Sequence, residues 1–352
     1  MELKIFSKED GTLDMLSKNV PLAMMNGIRR EAVSGVQTYS LAKEDAKILA
    51  NTSVFDSNTL TINRIGMLPL KNEAVEDHEW KLWLSDPNDL QKPLINVEEN
   101  VLSVKASDFR VFNVDDENNI EVPASEIFAF PDMEIIKLKY NQMIHITYSK
   151  ISKGNQYQDA KYQAARIDKW AFNKTGNTDG VNTTYEKDVL DQPVNIYLGL
   201  SSVGCIDVRT AVQRAVEIML SKLRQFRTAL VSNTPEVDLV YYQDIFTLDI
   251  NIHNETFTLA KIIESYILIN LHSMIGSDNV SNYFNVSTIQ AHPLKNVLTI
   301  KLTLYSNPLW EELDVMKDNK IEQDKLVSLV DDACISAIDT ANFLLDKVSE
   351  EN

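Results

Sequence analysis

The chain has 352 residues, 44% of them hydrophobic and 24% charged, an ordinary globular composition with material for about two or three domains. A formal net charge of -17 repels phosphate backbones, so the chain as a whole is a poor candidate for gripping DNA or RNA, and any nucleic-acid role has to run through partners. Only two cysteines occur, Cys205 and Cys334, with no Cys-x-x-Cys pair, so neither a disulfide framework nor a cysteine-based zinc site is expected.

The opening run, Met1-Glu2-Leu3-Lys4-Ile5-Phe6, alternates as a strand does and lacks the charged-then-apolar layout of a signal peptide, so a cytosolic or nuclear compartment is expected. From Pro21 to about Gly35, residues Leu22, Met25, Ile28, Ala32 and Val33 fall three or four apart. That spacing lines one side of a helix and leaves Asn26, Arg29 and Arg30 on other faces or at its edge. Residues 41–172 read as a β-rich insert. It mixes strands, such as Ile144, Ile146 and Tyr148 alternating with His145 and Thr147, with acidic turns such as Asp115-Asp116-Glu117-Asn118-Asn119.

Val194, Ile196, Leu198 and Leu200 then alternate as a strand, and Val208, Val212, Ala215, Met219, Leu223, Phe226 and Leu230 sustain a helical stripe over about six turns. Ser232-Asn233-Thr234-Pro235 stops that helix and opens a linker over 233–242. The pattern is then repeated. Phe246, Leu248, Ile250 and Ile252 alternate with polar residues as a half-buried strand, and Thr258 is placed to N-cap a helix carrying Ile262, Ile263, Tyr266 and Ile267. Leu298, Ile300, Leu302 and Leu304 form another strand, and Leu326, Val330, Ala333, Ala337, Ala341, Leu344 and Val348 the stripe of a terminal helix. No apolar run approaches the ~20 residues that cross a bilayer, so no membrane span is expected.

The predicted fold class is α+β. Two related modules, 1–40 with 173–232 and then 243–352, each combine an antiparallel sheet with an early helix and a long terminal one, and they pack as a pair around the β-rich insert.

Two segments carry a family resemblance. Val20-Pro21-Leu22-Ala23-Met24-Met25-Asn26-Gly27-Ile28-Arg29-Arg30 and Asn63-Arg64-Ile65-Gly66-Met67-Leu68-Pro69-Leu70 are similar to the α-type subunits of cellular RNA polymerases. Those are the bacterial α N-terminal domain, the archaeal D subunit and the third-largest eukaryotic subunit. Asn51, Ser53 and Asp56 sit in the expected run before Arg64. Gly154 with Asp159-Ala160-Lys161-Tyr162-Gln163-Ala164-Ala165 resembles the family's return segment, and Ser202-Val203-Gly204 the approach to its dimerisation helix. The second half resembles the smaller partner, archaeal L or the eleventh eukaryotic subunit, through His253-Asn254-Glu255-Thr256-Phe257-Thr258-Leu259 and His292-Pro293-Leu294. Two departures stand out: Ala260-Lys261 replaces the partner family's usual Gly-Asn, and the insert lacks the cysteine cluster of many relatives.

The resemblance implies a fusion of the two subunits, as in large nucleocytoplasmic DNA viruses, forming an intramolecular heterodimer of dimerisation modules. It implies a non-catalytic assembly platform whose partners are the second-largest and largest polymerase subunits and small accessory subunits. It further implies work in the host cytoplasm, at viral factories, and in the virion, with the nucleus as the alternative.

Candidate interface residues are Asn26, Arg29, Arg30, Arg64, Gly66, Pro69 and His292. Arg29 and Arg30 are either solvated helix charges or, through their planar forks of donors, a clasp on a large subunit. Arg64 either anchors the turn at Gly66 or meets a partner. His292 reads as a turn residue rather than a metal ligand, because no cysteine or second histidine lies at ligand spacing. No catalytic motif, metal site or cofactor is expected. The alternative reading is an acidic structural platform such as a sliding-clamp-like processivity factor, which needs basic helices lining a hole; a third is an enzyme with its site in the insert.

Overall fold

The chain opens with a hairpin, β1 (Glu2–Ser7) and β2 (Thr12–Lys18), followed by α1 (Leu22–Arg30) and a π-helical turn over Glu31–Gly35. A long excursion follows: β3 (Thr38–Ser40), β4 (Ala46–Asn51), α2 (Asn58–Gly66), α3 (Asn72–Val75), β5 (Trp80–Leu84), β6 (Leu94–Ile95), β7 (Leu102–Lys105), β8 (Phe109–Asn113), β9 (Ile120–Val122), α4 (Ala124–Ile127), β10 (Glu134–Leu138), β11 (Met143–Tyr148) and β12 (Ser152–Gly154). The chain returns through β13 (Ala165–Ala171) and β14 (Asn195–Ser202) into α5 (Val208–Ser232). Next come β15 (Val237–Tyr242), β16 (Thr247–His253), α6 (Phe257–Ile275), β17 (Phe284–Ile289), β18 (Val297–Leu304), the short β19 (Met316–Lys317) and β20 (Lys320–Ile321), and α7 (Gln323–Ser349).

This computed structural model describes residues 1–8, 11–53, 58–76, 78–114, 120–172, 185–188, 190–232, 234–275, 283–290, 296–305, 310, 315–317 and 320–350. Asp56, the turn from Asp115 to Asn119, Asn233 and the His292-Pro293-Leu294 segment lie outside the described residues.

Period-two alternation shapes two four-stranded antiparallel sheets, ordered β1-β2-β14-β13 and β15-β16-β18-β17. Both have the same plan. The first two strands form an edge pair, a helix follows the second strand, and a long helix follows the fourth in chain order, which lies inside the sheet. Leu13, Met15, Ile196, Leu198 and Leu200 turn inward from the first sheet, and Leu248, Ile250, Ile252, Ile300 and Leu302 from the second. These residues join the buried stripes of α1, α5, α6 and α7 in one continuous apolar cluster.

Equivalent helices meet inside that cluster: α5 lies along α7, and α1 crosses α6. The α1–α6 crossing depends on Gly27. A Cβ there would lie 2.8 Å from Ile262 Cδ1 and 3.4 Å from both Met219 Cε and Thr258 Cγ2, so the missing side chain lets three helices converge.

A second apolar cluster fills the excursion, built on β4-β11-β5-β8-β9 with β6 beside β11 and on the β10-β7 pair. Asn72 bridges the two packing units. It is 1% exposed, its backbone N–H donates to Cys205 O at 2.8 Å, and its side-chain amide donates to Gln37 O at 3.2 Å.

Several elements differ from expectation. Thr258 is not an N-cap: α6 begins at Phe257, and Thr258 turns its methyl toward Gly27 with Oγ1 unpartnered among the described residues. Phe246 precedes its strand rather than opening it, with φ at 47° in the left-handed region, where it closes the turn over Gln243–Ile245. Val237–Tyr242, expected within the linker, is an edge strand, because Val237, Leu239 and Tyr241 alternate toward the core. Ala165–Ala171, expected within the insert, pairs with β14 in the first sheet.

A bulky side chain at the helix crossing should be destabilising. Gly27→Leu is expected to cost about 2 kcal/mol through overpacking, seen as a lowered denaturation midpoint, with Gly27→Ala much milder because Ile262 Cδ1 can rotate away. Equal stability of the Leu variant and the native chain would contradict the close crossing.

Candidate interaction surface

Asn26 and Arg29 are three residues apart, the spacing that stacks side chains on one helix face. Arg29 donates from Nε and from Nη2 to Asn26 Oδ1, at 3.0 and 2.7 Å, and its guanidinium lies over the Trp170 ring of β13, 5.4 Å from the centroid. Burial, and then the charge of Arg30, pull its pKa below the ordinary arginine value. Arg29 is therefore a half-buried, fixed fork, neither a solvated charge nor a free one. Arg30 is exposed and reaches the Tyr157 phenol.

Arg64, Gly66 and Pro69 belong to the second cluster's edge. Gly66 is buried at the end of α2, and its carbonyl accepts from Ser40 Oγ at 2.8 Å. The Pro69 carbonyl accepts from Ala129 N at 3.0 Å, which fixes the chain ahead of the Leu70–Phe128 bridge. Arg64 is exposed on α2 between Leu60, 44% exposed, and Met67, 56% exposed. Leu60 stands four residues before Arg64 on α2 and Met67 three after it, in the turn that follows the helix, so the arginine lies between two exposed apolar side chains. Glu134 lies close by. The Ser103 hydroxyl, followed by the charges of Lys137 and Arg64, holds its carboxyl below the usual range.

The structure thus joins Asn26 to Arg29, groups Arg64, Gly66 and Pro69 at the end of α2, and mounts these two groups on different apolar clusters. His292 lies outside the described residues. Sequence reasoning missed Trp170, Leu60 and Met67. The 60-64-67 spacing was a usable signal, but nothing in the sequence links Trp170 to Arg29.

It also missed Glu31, which is fully buried although it follows two arginines. Lys222 of α5 donates to Glu31 Oε1 at 3.2 Å and lies 3.7 Å from Glu255 Oε2, while the Tyr157 hydroxyl donates to Glu31 Oε1 at 3.4 Å. Burial alone would lower the Lys222 pKa; the Glu31 and Glu255 carboxylates outweigh it and hold the ammonium above the ordinary lysine value. Lys222 therefore ties α5 to the π-turn of the first half and to the start of α6 in the second.

The other cations of α5 act in the same way. Arg209 donates to the Val348 and Glu350 carbonyls at 3.2 and 2.8 Å and to Ser7 Oγ at 3.1 Å, capping α7 against β1. Arg214 meets Glu76 at 3.4 Å, Arg224 meets Asn342 at 3.3 Å, and Arg227 grips both Asp331 oxygens at 2.6 and 3.1 Å.

The two thiols are buried and unreactive in character, since burial pushes Cys205 up to about 11 and Cys334 to about 12. Among the described residues no group of three or more His, Cys, Asp or Glu side chains is placed to hold a metal ion, and no helix is long and apolar enough to cross a membrane. No protein-family model matches the chain.

Removing Lys222 strands the Glu31 charge, so Lys222→Met is expected to cost about 3 kcal/mol near neutral pH. Because the folded pKa is raised, the contribution is fully present below the unfolded lysine value of about 10.4 and is lost as pH rises through the folded value. Denaturant titrations near neutrality and on the alkaline side should show the variant and the native chain converging at high pH. A constant difference across that range would exclude the ion pair as the cause.

Proposed function

We propose that the chain is a non-catalytic assembly platform of a multisubunit DNA-directed RNA polymerase, an α-type subunit fused to its smaller partner, which nucleates association of the two large catalytic subunits. The observation that carries this reading is the repeated plan of the two halves. Each has the same strand order with helices at the same points, and each contributes its equivalent helices to one shared apolar core. Two such units in one chain suit an intramolecular heterodimer, with the excursion as an insert. Covalent linkage then replaces an encounter between subunits with a high effective concentration.

The Asn26-to-Arg30 and Arg64-to-Leu70 segments add the polymerase resemblance, and both reach the surface. Exposed Arg30 and the Leu60–Arg64–Met67 group suit a protein partner, because arginine flanked by apolar area is the composition of interface anchors. The surface would hold the second-largest subunit, while the largest carries catalytic magnesium. The clamp alternative calls for cations free to face DNA. The five basic residues of α5 are instead engaged within the chain.

Affinity purification of the tagged chain from cells producing its complex should recover the two largest RNA polymerase subunits. The Arg30→Glu, Arg64→Glu double variant should lower recovery of the second-largest by about tenfold or more while keeping the native circular dichroism. Recovery of a DNA polymerase instead, or magnesium-dependent nucleotide incorporation by the isolated chain, would overturn the proposal.

A further inference from the structure

Strand β15 closes one side of the second sheet, and hydrogen-bond parity fixes what its free side offers. His253 N donates to Glu236 O at 3.0 Å within the β15–β16 register, so the bonded pairs recur two residues apart, at Asp238, Val240 and Tyr242. The residues between them turn their backbone groups away from β16. Val237 spends its N–H on Thr234 O at 3.1 Å, just outside the strand. Leu239 and Tyr241 have no such neighbour: among the described residues β15 pairs with β16 alone, and their N–H and C=O groups point off the edge of the sheet.

Edge strands are ordinarily blunted by charges, prolines or bulges. The first sheet conforms. Its edge β1 carries Glu2 and Lys4, and its edge β13 carries Arg166, Asp168 and Lys169 with a break of register between Ile167 and Lys169. β15 has neither proline nor break, and its one charge, Asp238, is taken up by His253 Nε2 at 2.7 Å. Its solvent face carries Val240, 37% exposed, and Tyr242, 43% exposed, while Leu239 and Tyr241 lie half-buried against the shared apolar cluster. β17, at the opposite edge, is uncharged too but sets polar Asn285 and Ser287 on its solvent face.

We propose that the edge of β15 pairs with the same edge of a second copy of the chain, antiparallel about a twofold axis at Val240. The strand is self-complementary in that register. Val240 meets Val240 across the axis in a non-bonded pair, where side chains approach most closely. Leu239 and Tyr241 of one copy exchange backbone bonds with Tyr241 and Leu239 of the other, which uses the groups left free and sets an aliphatic side chain against an aromatic one on the core face. On the solvent face Asp238 comes opposite Tyr242, so like charges do not meet.

Neighbouring registers are poorer. A slip of one residue sets core-face side chains against solvent-face ones. An axis at Leu239 sets Tyr241 against Val237, whose N–H is already spent. The contact is isologous, so it closes at a dimer and covers an edge that would otherwise recruit any extended chain. The inference goes beyond the polymerase reading and does not rest on it.

Sedimentation velocity of the full chain at rising concentration should show monomers passing into dimers, and hydrogen exchange at the Leu239 and Tyr241 amides should slow as dimers form. Val240→Lys sets two ammonium groups against each other across the axis and should weaken association about tenfold, as should Val240→Glu with two carboxylates. An equimolar mixture of the two variants should restore association, because lysine then faces glutamate. The Val240 side chain stands on the solvent face and its backbone bonds to β16 are kept, so both variants should retain native circular dichroism. Ile289→Lys, on the exposed face of β17, should leave the dimer unchanged. A monomer at every concentration would overturn the proposal. So would a dimer indifferent to both Val240 variants, or a mixture that associates no better than either variant alone.

Discussion

The architecture hangs on α5. One face of this helix buries Ala211, Ala215, Met219, Leu223, Phe226 and Leu230, so that it forms the spine of the shared apolar cluster. Its other faces carry five basic residues and a single acidic one, in a chain whose overall charge is strongly negative. All five are engaged with elements packed around the helix. Arg209 holds the ends of the chain together, Arg214 reaches Glu76 in the excursion, Lys222 spans Glu31 and Glu255, and Arg224 and Arg227 grip α7. Exposed pairs such as Arg227 with Asp331 add little free energy individually. The buried Glu31–Lys222 contact differs, because loss of either partner leaves a desolvated charge. Apolar burial therefore supplies the cohesion of the core, and the cations fix the positions of the elements around it.

That division of labour gives the proposed platform its rigidity. Helices α1 and α6 approach closely only because Gly27 has no side chain, and α5 and α7 lie together along an extended seam. Both contacts join one half of the chain to the other, so a fused pair of subunits would behave as one body. The surface residues proposed for partner contact stand on that body: Arg30 beside the fixed Arg29, and Arg64 on α2 of the excursion, which Asn72 ties to the first unit. A side chain held by stacking and hydrogen bonds loses less entropy on binding than a free one.

Elements with sustained periodicity were legible in the sequence. The stripes from Val208 to Leu230 and from Leu326 to Val348 give α5 and α7, and the alternations around Leu198, Ile250 and Ile300 give three of the strands. What was not legible depends on contacts made far along the chain or on competing local signals. Val237–Tyr242 hid behind the turn formers around Pro235, and Asn58–Gly66 is too polar to announce a helix. Thr258 has the residue type of an N-cap, but packing against Gly27 claims its methyl instead. Asp331 finds Arg227 across 104 residues of sequence, and Glu31 finds Lys222 across 191. The candidate site was legible only as a set of names. The Asn26–Arg29 clasp follows from their spacing, whereas Trp170, the Leu60–Arg64–Met67 group and the buried carboxylate emerge only from the fold.

The central claim is that one rigid chain serves as the platform on which two large polymerase subunits assemble. Chemical cross-linking of the native complex with mass spectrometry addresses it most directly. The account predicts that Lys47 and Lys71, which flank α2, cross-link to the second-largest RNA polymerase subunit, and that lysines of both halves also cross-link to each other within the chain. Cross-links from those lysines to a DNA polymerase, or to no polymerase subunit at all, would contradict it.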